Sequence, residues 1–420
     1  MVCEDCRRLA EQLEAALKRI EELERRLLAY ENAHTPPSRR YKPRQPPAVG
    51  GKRGAPEGHD GATRPTPEPT HWVEHVLKRC EHCLGLLGKP DTFERRLEEE
   101  IPEPQPIEVT EHLIWHYTCP HCGRQNSAEI PALGRFGPRT CAHVALLKFD
   151  DRLPHVKVVQ ALSRQFGLTM TPPTVLRITQ RVADATRVSY ETLLTQILQQ
   201  PYIHIDETPL RVSGRTFWVW IFCTPQMTLY VIRPSRGRNV VQDILHDYKG
   251  TIVTDGYKVY EGIGGAQQRC WAHLLREAEF LASRHDTAKL ILEQLRQLYR
   301  DARALAKRRI DRVKVHDALV LRMQQLIDLC GAYKELRKFA TLLKNGIHAW
   351  FIAILHKGIP LTNNLAERQL REIVVQRKIF GTLRTDIGCR TMETIMSVLM
   401  TWKQNAKNVL QELTLLLNVA

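Results

Sequence analysis

The sequence predicts a multidomain α/β protein whose core is a mixed sheet with flanking helices. Three observations lead to this fold class. The chain has 420 residues, more than one hydrophobic core usually organises. Beyond Pro201 the apolar pattern changes from helical to strand-like, in the order strand, strand, strand, helix, strand. The stretches 286–309 and 315–343 then have the pattern of long basic helices, with no strand pattern between them.

The charge balance is strongly basic. The chain carries 61 Lys and Arg residues against 46 Asp and Glu residues, a net charge of +15. This excess suits a polyanionic partner better than a small neutral substrate, although a merely soluble basic protein is the alternative. The first residues are charged and form no apolar signal segment, and no apolar run approaches the roughly 18 residues that span a membrane. We therefore expect a soluble protein of a reducing cytosol.

Residues 1–33 predict a coiled coil that joins copies of the chain. Apolar side chains recur with four-three spacing over three heptads, and Glu and Arg fill many of the other positions. These apolar residues are Leu9, Leu13, Ala16, Ile20, Leu23, Leu27 and Tyr30. Because three heptads are few, a helix docked on the body of the protein is the alternative.

A basic linker over residues 34–70 follows the heptads. It is dense in Pro, Gly, Arg and Lys and has almost no apolar residues, so it cannot build a core. It is either a plain tether or an arm that contacts DNA. The basic residues assigned to the arm are Arg39, Arg40, Lys42, Arg44, Lys52 and Arg53.

Six of the eleven cysteines form three Cys-x-x-Cys pairs. Two pairs fall within residues 71–130 and predict a zinc-binding domain, because four thiolates can hold a structural Zn²⁺ tetrahedrally. The ligands would be Cys80, Cys83, Cys119 and Cys122. A redox role is the less favoured alternative. The third pair, Cys3 and Cys6, either binds no metal or meets its copy across the coiled coil.

Residues 131–198 predict a helical region that resembles a helix-turn-helix. The first helical pattern ends at Phe166 and Gly167, Thr171 suits an N-cap, and Pro172 suits the first turn of the second helix. Many helical hairpins share this layout without binding DNA. On the DNA-binding hypothesis, the contacts come from Thr174, Arg177 and Arg181.

Two acidic residues end apolar runs in the strand-like region. Asp206 ends "YIHID" and Asp255 ends "GTIVTD". An isolated Asp at such a place is commonly a turn former. If the two strands are parallel members of one sheet, however, their ends converge, and the carboxylates suit Mg²⁺ or Mn²⁺. Two such ions can assist an in-line phosphoryl displacement, and a site of this kind needs a third acid.

Four motifs together resemble those of DDE-type transposases of the insertion sequence 66 family: "HIDETPLRV", "TDGYKVY", "CWAHLLRE" and "TNNLAERQLREIVVQRK". The heptads, the linker, the four-cysteine module and the C-terminal segment also follow that family's order, so the resemblance covers nearly the whole chain. It implies an RNase H-like catalytic domain over residues 199–380 with a helical insertion at about 277–350, and a C-terminal helical segment over 381–420. It also implies a metal-binding triad of Asp206, Asp255 and Glu367.

The resemblance implies a transposase with a two-metal mechanism. Such an enzyme would bind the terminal inverted repeats of its element, cut DNA with Mg²⁺ or Mn²⁺, and join the 3′ ends to target DNA. Its expected partners are DNA, further copies of the chain and, as an open option, accessory proteins of the same element, with no membrane. Its expected location is the prokaryotic cytoplasm, on the nucleoid. Two alternatives stay open: a DNA-binding protein without catalysis, and an RNase H-fold nuclease.

Four residues near the triad need separate comment. Cys270 and His273 form the Cys-x-x-His element found in several DDE enzymes, and we expect His273 to make a hydrogen bond beside the active site while Cys270 packs. Glu207 would point to the opposite face of its strand, so it is left out of the triad. Thr362 stands where family members often carry an acid, and we expect it to cap the following helix.

Helical spacing puts Glu367 on one face with Asn363, Leu370 and Val374, a partly apolar stripe suited to packing on the sheet. A solvated surface charge is the alternative for Glu367. The amide and basic side chains around it are expected to contact DNA, and these are Asn363, Asn364, Arg368, Arg371, Arg377 and Lys378.

Overall fold

A computed structural model describes residues 12–20, 22–23, 66–101, 103, 107–127 and 134–419. Contacts within the chain divide it into two units, Met1–Arg39 with Ile107–Ala420, and Arg40–Pro106. The Cys3 and Cys6 pair lies outside the described residues. So do the six basic residues predicted for the linker arm, Arg39, Arg40, Lys42, Arg44, Lys52 and Arg53.

The smaller unit has little regular structure in its described part, residues 66–101 and 103. A tight turn surrounds Cys80, whose N–H donates to the Gly85 carbonyl and whose carbonyl accepts from Leu84 N, both at 2.9 Å. One isolated bridge pairs Arg79 with Leu86. Large apolar side chains such as Phe93 are exposed. The described part of this unit therefore builds no hydrophobic core of its own.

The larger unit begins with a helical segment and a small hairpin. Residues 12–20 and 22–23 are helical, and the apolar side chains of the predicted heptads within them are exposed. The rest of the predicted coiled coil lies outside the described residues, so self-association stays a prediction. Strands β1 (His116–Thr118) and β2 (Gln125–Ser127) then form an antiparallel pair on either side of Cys119 and Cys122.

Three helices follow: α1 (Pro138–Phe149), which the sequence pattern did not single out, and the two helices of the predicted hairpin, α2 (His155–Phe166) and α3 (Pro172–Ile197). Gly167 adopts φ 64° at the end of α2, a left-handed conformation that glycine enters without the steric cost of a Cβ atom. Thr171 occupies the N-cap position of α3. The layout of helix, glycine turn and helix is therefore present.

A mixed sheet forms the centre of the larger unit. Its strands lie in the order β5-β4-β3-β6-β7, and β8 pairs with the far end of β3. The hairpins β3-β4 and β4-β5 are antiparallel, whereas β6 is parallel to β3 and β7 is parallel to β6. The strands are β3 (Tyr202–Val212), β4 (Arg215–Cys223), β5 (Thr228–Arg233), β6 (Thr251–Thr254), β7 (Ala266–Arg269) and β8 (Thr382–Leu383).

Helices flank this sheet, which is the fold class predicted from the sequence. The segment between β7 and β8 is helical and includes a short 3₁₀ turn at Lys334–Leu336, and a second 3₁₀ turn, Lys258–Tyr260, lies between β6 and β7. No helix in the described ranges is long and apolar enough to cross a membrane. The helices are α4 (Arg238–Leu245), α5 (Trp271–Ala282), α6 (Thr287–Leu305), α7 (Arg312–Gly331), α8 (Arg337–Asn345), α9 (Ile352–Leu355), α10 (Asn364–Phe380), α11 (Asp386–Gln404) and α12 (Val409–Val419).

Side chains of β4 alternate between two apolar clusters, one on each face of the sheet. Val219 and Ile221 pack in the cluster formed with α1, α2, α3, α10, α11 and α12. Trp220 and Phe222 pack in the opposite cluster with α4. This alternation follows from the two-residue period of a strand. The helices between β7 and α10 form a third cluster around the buried Trp271.

Helix α11 covers the outer edge of β5 with polar side chains. The N–H groups of Thr228, Tyr230 and Ile232 donate to Thr401 Oγ1, Ser397 Oγ and Glu393 Oε2 at 3.0, 2.8 and 2.7 Å. Alternate residues of β5 thus contact residues four positions apart on α11. This match is possible because two residues of a strand and four residues of a helix each advance by about 6 to 7 Å. The C-terminal segment is thus part of the core, where it satisfies a sheet edge that would otherwise be open to pairing.

Candidate active site

The register of two parallel strands places Asp206 beside Asp255. β3 pairs with β6 through Tyr202 and Thr251 up to His204 and Val253. Continuing this register two positions sets Asp206 opposite Asp255, which directly follows β6. The predicted parallel arrangement is present, but the prediction that Asp206 ends its strand is wrong. β4 supplies an antiparallel partner as far as Val212, so β3 continues through its polar residues.

The carboxylates at this edge lie close enough to repel one another. Asp206 Oδ1 accepts a hydrogen bond from Glu207 N at 2.8 Å, and Asp255 Oδ1 accepts one from Tyr257 N at 2.9 Å. Burial raises the pKa of Asp206 well above its ordinary value, and the negative charges of Glu207, Asp255 and Glu367 raise it further. Gathered acids of this kind favour a cationic partner.

Glu367 reaches the same region from the first turn of α10. Its Oε1 lies 3.4 Å from His273 Nε2 and 3.9 Å from Arg276 Nη2, both on α5. That oxygen is buried and lacks a hydrogen-bond partner among the described residues. A buried carboxylate oxygen usually needs such a partner. It therefore has coordinating capacity left for a further ligand.

Asn363 ties the start of α10 to β3 and to α5. It is fully buried. Its Nδ2 donates to the Ile205 carbonyl at 2.8 Å, its Oδ1 accepts from His204 Nδ1 at 2.9 Å, and its backbone N–H points at Cys270 Sγ at 3.0 Å. Burial lowers the pKa of His204 to about 4, so the imidazole is neutral near pH 7 and Nδ1 carries the donated hydrogen.

These contacts overturn one prediction. Asn363 was expected to contact DNA, but its side chain is buried between a strand and a helix and is used up in holding them together. Ile205 directly precedes Asp206 in β3, and Glu367 lies in the first turn of α10. The hydrogen bond from Asn363 to the Ile205 carbonyl therefore anchors α10 and also sets the position of Glu367 relative to Asp206.

A family model described as Transposase IS66 family matches residues 133–391. This chain belongs to that family. The match includes helices α1 to α3, the mixed sheet and the helices after β7, and it ends in the second turn of α11.

One curated relative is uncharacterized protein y4qI of Sinorhizobium fredii (strain NBRC 101917 / NGR234). The two sequences are 23% identical over 316 residues, which is 66% of this IS66-family chain and 58% of the relative. The chain thus spans less than two thirds of the length of that protein.

In the IS66-family chain the Glu207 side chain is engaged by a second set of contacts. The Glu207 side chain is 1% exposed. Its Oε1 accepts from Arg236 Nε and Nη2 at 2.9 and 2.7 Å, and its Oε2 accepts from the Tyr260 hydroxyl. The Arg236 guanidinium lies 4.2 Å from the centre of the Tyr257 ring and 4.6 Å from that of Trp218. Glu207 therefore joins β3 to the loop that follows Asp255.

The strand continues past Asp206, which is the condition on which Glu207 was left out of the triad, but the sequence does not reveal the partners of Glu207. Arg236 lies between β5 and α4, and Tyr260 lies in the 3₁₀ turn after Asp255. One signal of these contacts was present in the sequence: Glu207 lies in a strand that would bury its side chain, and a buried acid requires a paired cation.

We expect Glu207→Gln to lower the free energy of unfolding by about 1–3 kcal/mol, because the Arg236 charge loses its buried partner while remaining partly solvated. Denaturant titration followed by circular dichroism measures this change. The matched control is Glu279→Gln, which removes an exposed pair with Arg296 and should cost at most about 0.5 kcal/mol. Equal effects of the two substitutions would contradict the proposed role of the Glu207 contacts.

The other residues predicted to act around Glu367 differ in whether they pack on the protein or face solvent. Arg377 Nη1 donates to Thr208 Oγ1 at 2.9 Å and to the Pro209 carbonyl, so it holds α10 on β3 instead of facing outward to DNA as expected. Asn363, and not Thr362, occupies the N-cap position of α10, so the prediction that Thr362 caps this helix is wrong. The predicted contacts that are exposed are Asn364, Arg368, Arg371 and Lys378.

The two described cysteine pairs form similar turns. At Cys119 the backbone N–H donates to the Arg124 carbonyl and the carbonyl accepts from Gly123 N, both at 2.8 Å. Backbone hydrogen bonds from the following residues lower the pKa of Cys80 and of Cys119. Each turn therefore favours the thiolate form that binds metal. The two pairs belong to different units, and the four-cysteine zinc site stays a prediction.

No three His, Cys, Asp or Glu side chains within the described ranges are gathered as a set of metal ligands. The donor chemistry at the acidic edge nevertheless fits a divalent cation. Asp206 and Asp255 each use one oxygen for a local backbone bond, and the Glu367 oxygen lacks a hydrogen bond. Carboxylate oxygens with spare capacity are what Mg²⁺ and Mn²⁺ prefer.

Proposed function

We propose that this chain is a DDE-type transposase with an RNase H-like catalytic core, which binds the ends of its element, cuts DNA and joins the 3′ ends to target DNA. The observation that supports the proposal is the strand register that sets Asp206 beside Asp255, with the negative charge of Glu367 close enough to raise the pKa of Asp206 further. Asp206 and Asp255 come from parallel strands, and Glu367 comes from a helix anchored by Asn363 one residue away from Asp206. Membership of a transposase family supports the same function.

Asp206, Asp255 and Glu367 would hold Mg²⁺ or Mn²⁺. Bound there, the ions would activate a water or a 3′-hydroxyl and stabilise the leaving oxygen of an in-line phosphoryl displacement. The chain's own residues supply position and charge. His273 Nε2 lies 3.4 Å from Glu367 Oε1, and Asn363 fixes the helix that carries Glu367.

Basic side chains near the acids would hold the DNA phosphates. Arg276 lies 3.9 Å from Glu367, and Arg368, Arg371 and Lys378 are exposed on α10. A guanidinium or ammonium so placed both attracts the DNA backbone and offsets the charge that develops during strand cleavage. Further contacts to the element's ends would come from the helical hairpin of α2 and α3, from the basic linker over residues 34–70, and from the two turns that carry the Cys-x-x-Cys pairs at Cys80 and Cys119.

The same proposal covers assembly. The exposed apolar stripe through Leu13, Leu17 and Ile20 would pair with a second copy of the chain in a coiled coil. Two copies would bring two ends of an element together in one complex. Accessory proteins of the same element and a location on the bacterial nucleoid belong to this proposal as well.

We expect cleavage to depend strictly on a divalent cation. The full chain is incubated with a plasmid that carries both ends of its element, and cut ends with free 3′-hydroxyls are mapped on a sequencing gel. Mg²⁺ or Mn²⁺ should support cleavage, and excess chelator should abolish it while binding, measured by gel shift, persists. Cleavage in chelator would contradict the metal mechanism.

The two alternatives give different results in the same assay. Metal-independent binding of the ends with no cleavage under any condition would favour a DNA-binding protein without catalysis. Preferential cutting of an RNA–DNA hybrid, when the hybrid competes with end DNA, would favour a nuclease.

A further inference from the structure

A cavity of about 480 Å³ lies at the start of α3. Its walls come from the turn after α2, the first turns of α3 and the residues just before α1. The volume falls within the roughly 300–1,000 Å³ typical of sites for small molecules. Thr174, Arg177 and Arg181, the three residues of the helical hairpin predicted to contact DNA, all line it, and Arg135 joins them from a different segment.

One side of this cavity is apolar. Met170 and Ile178 are 8% and 5% exposed, and the half-buried ring of Phe136 packs against the same cluster. Arg181 Nη1 donates to the Phe136 carbonyl at 3.2 Å, which holds this residue against α3. Phe136 therefore forms part of the apolar wall of the cavity.

The rim of the cavity is cationic. Arg135 and Arg177 are exposed, and the Arg135 guanidinium lies 5.9 Å from the centre of the Phe136 ring. The hydroxyls of Thr171 and Thr174 lie 3.0 Å apart beside them. Within the described residues, the lining includes no acidic side chain. An aromatic wall under a rim of guanidinium groups suits a ligand with one flat apolar face and one negative charge.

We infer that this cavity binds a single unpaired nucleotide of DNA, with its base against Phe136 and its phosphate at Arg135 and Arg177. The inference rests on the proposed DNA-processing function and adds the kind of nucleotide that is recognised. A site that binds only the phosphate backbone of duplex DNA would need the cationic rim but not the concave apolar wall. Base faces inside a duplex are stacked and hidden, so only a nucleotide at an unpaired tail or one turned out of the helix can present its face to a ring.

The test compares three labelled DNAs with the full-length protein by fluorescence anisotropy: a blunt duplex, the same duplex with an unpaired thymidine tail, and the same duplex with one internal mismatch. We expect the tailed or the mismatched duplex to bind about tenfold more tightly than the blunt one. A preference for the tail assigns the nucleotide to a strand end, and a preference for the mismatch assigns it to a flipped base. Equal affinity for all three would overturn the inference.

Variants locate the preference in the cavity. Phe136→Leu should reduce it to about twofold or less without changing blunt-duplex binding, because the leucine fills the core but offers no stacking face. If Phe136→Leu fails to fold, judged by its thermal melt, Arg135→Gln serves instead and should lower both the affinity for the preferred DNA and its salt dependence. The control is Arg187→Gln, an exposed arginine of α3 outside the cavity, which should keep the preference.

Failure of this inference is distinguishable from failure of the proposed function. A protein that cleaves element ends but binds the three DNAs equally retains the proposed function and loses only the nucleotide pocket. A preference that survives both Phe136→Leu and Arg135→Gln also overturns the pocket. A protein that binds none of the three DNAs and cleaves no end contradicts both.

Discussion

Asp206→Asn should lower the rate of Mg²⁺-dependent strand cleavage by about three orders of magnitude. The substitution keeps the shape of the side chain but removes the negative charge at the acidic edge. Its amide can still accept the hydrogen bond from Glu207 N, so β3 should remain folded. A metal ligand is lost, and with it several kcal/mol of stabilisation of the charge that develops on the transferred phosphate. Quantified cleavage of labelled element ends measures the rate.

Two further variants test the specificity of that effect. Glu367→Gln should cause a loss of similar size, because its oxygen faces the same edge from α10. DNA binding by both variants should stay within about twofold of the unsubstituted chain, since the exposed cations are unchanged. The matched control is Asp243→Asn, which changes an exposed acid of α4 outside the triad and should leave cleavage normal. Undiminished cleavage by Asp206→Asn would remove this residue from the site.

Asn363→Ala should damage both the fold and the reaction. The substitution leaves the Ile205 carbonyl and His204 Nδ1 without their buried partner, which costs about 2–4 kcal/mol of unfolding free energy. The first turn of α10, which carries Glu367, then loses its anchor on β3. We therefore expect cleavage to require a higher Mg²⁺ concentration, because one ligand is displaced without being removed.

The neighbouring amide provides the control for stability. Asn364→Ala changes an exposed residue at the start of the same helix, and the free energy of unfolding should move by at most about 0.5 kcal/mol. Denaturant titration gives the stability of both variants, and a Mg²⁺ titration of cleavage gives the second readout. A destabilised Asn363→Ala protein whose Mg²⁺ requirement is unchanged would show that Asn363 supports the fold alone.

Local patterns predicted much of the fold because they depend on neighbouring residues. The aromatic hairpin of β4 and β5, helix α4 and strand β6 all follow from apolar alternation or from helical spacing. Gly167 and Pro172 placed the turn between α2 and α3 for a similar reason, since each favours one backbone conformation.

Features set by distant contacts were missed. β7 is four residues long and has no apolar alternation, and β8 has two residues, so each exists because a neighbouring strand pairs with it. The length of β3 depends on β4 in the same way. The polar row of Glu393, Ser397 and Thr401 could not be assigned to an edge strand without knowing which strand lies at the edge.

In the candidate site, too, sequence patterns identified some residues, whereas roles set by contacts between distant residues were missed. Strand patterns singled out Asp206 and Asp255, the motif resemblance added Glu367, and the register of β3 with β6 explains why the first two lie together. Asn363 and Arg377 looked like DNA contacts because polar and basic residues surround Glu367 in sequence. Their actual partners lie about 160 positions earlier in the chain, on β3, and sequence spacing along one helix carries no information about them.

A structure of the full chain bound to end DNA and Ca²⁺, an ion that occupies such sites while slowing the reaction, tests the central claim most directly. We expect metal density contacted by carboxylate oxygens of Asp206, Asp255 and Glu367, with Glu207 still paired to Arg236. Metal density held by Glu207, or DNA seated at the acidic edge with none of the three acids contacting an ion, would contradict it.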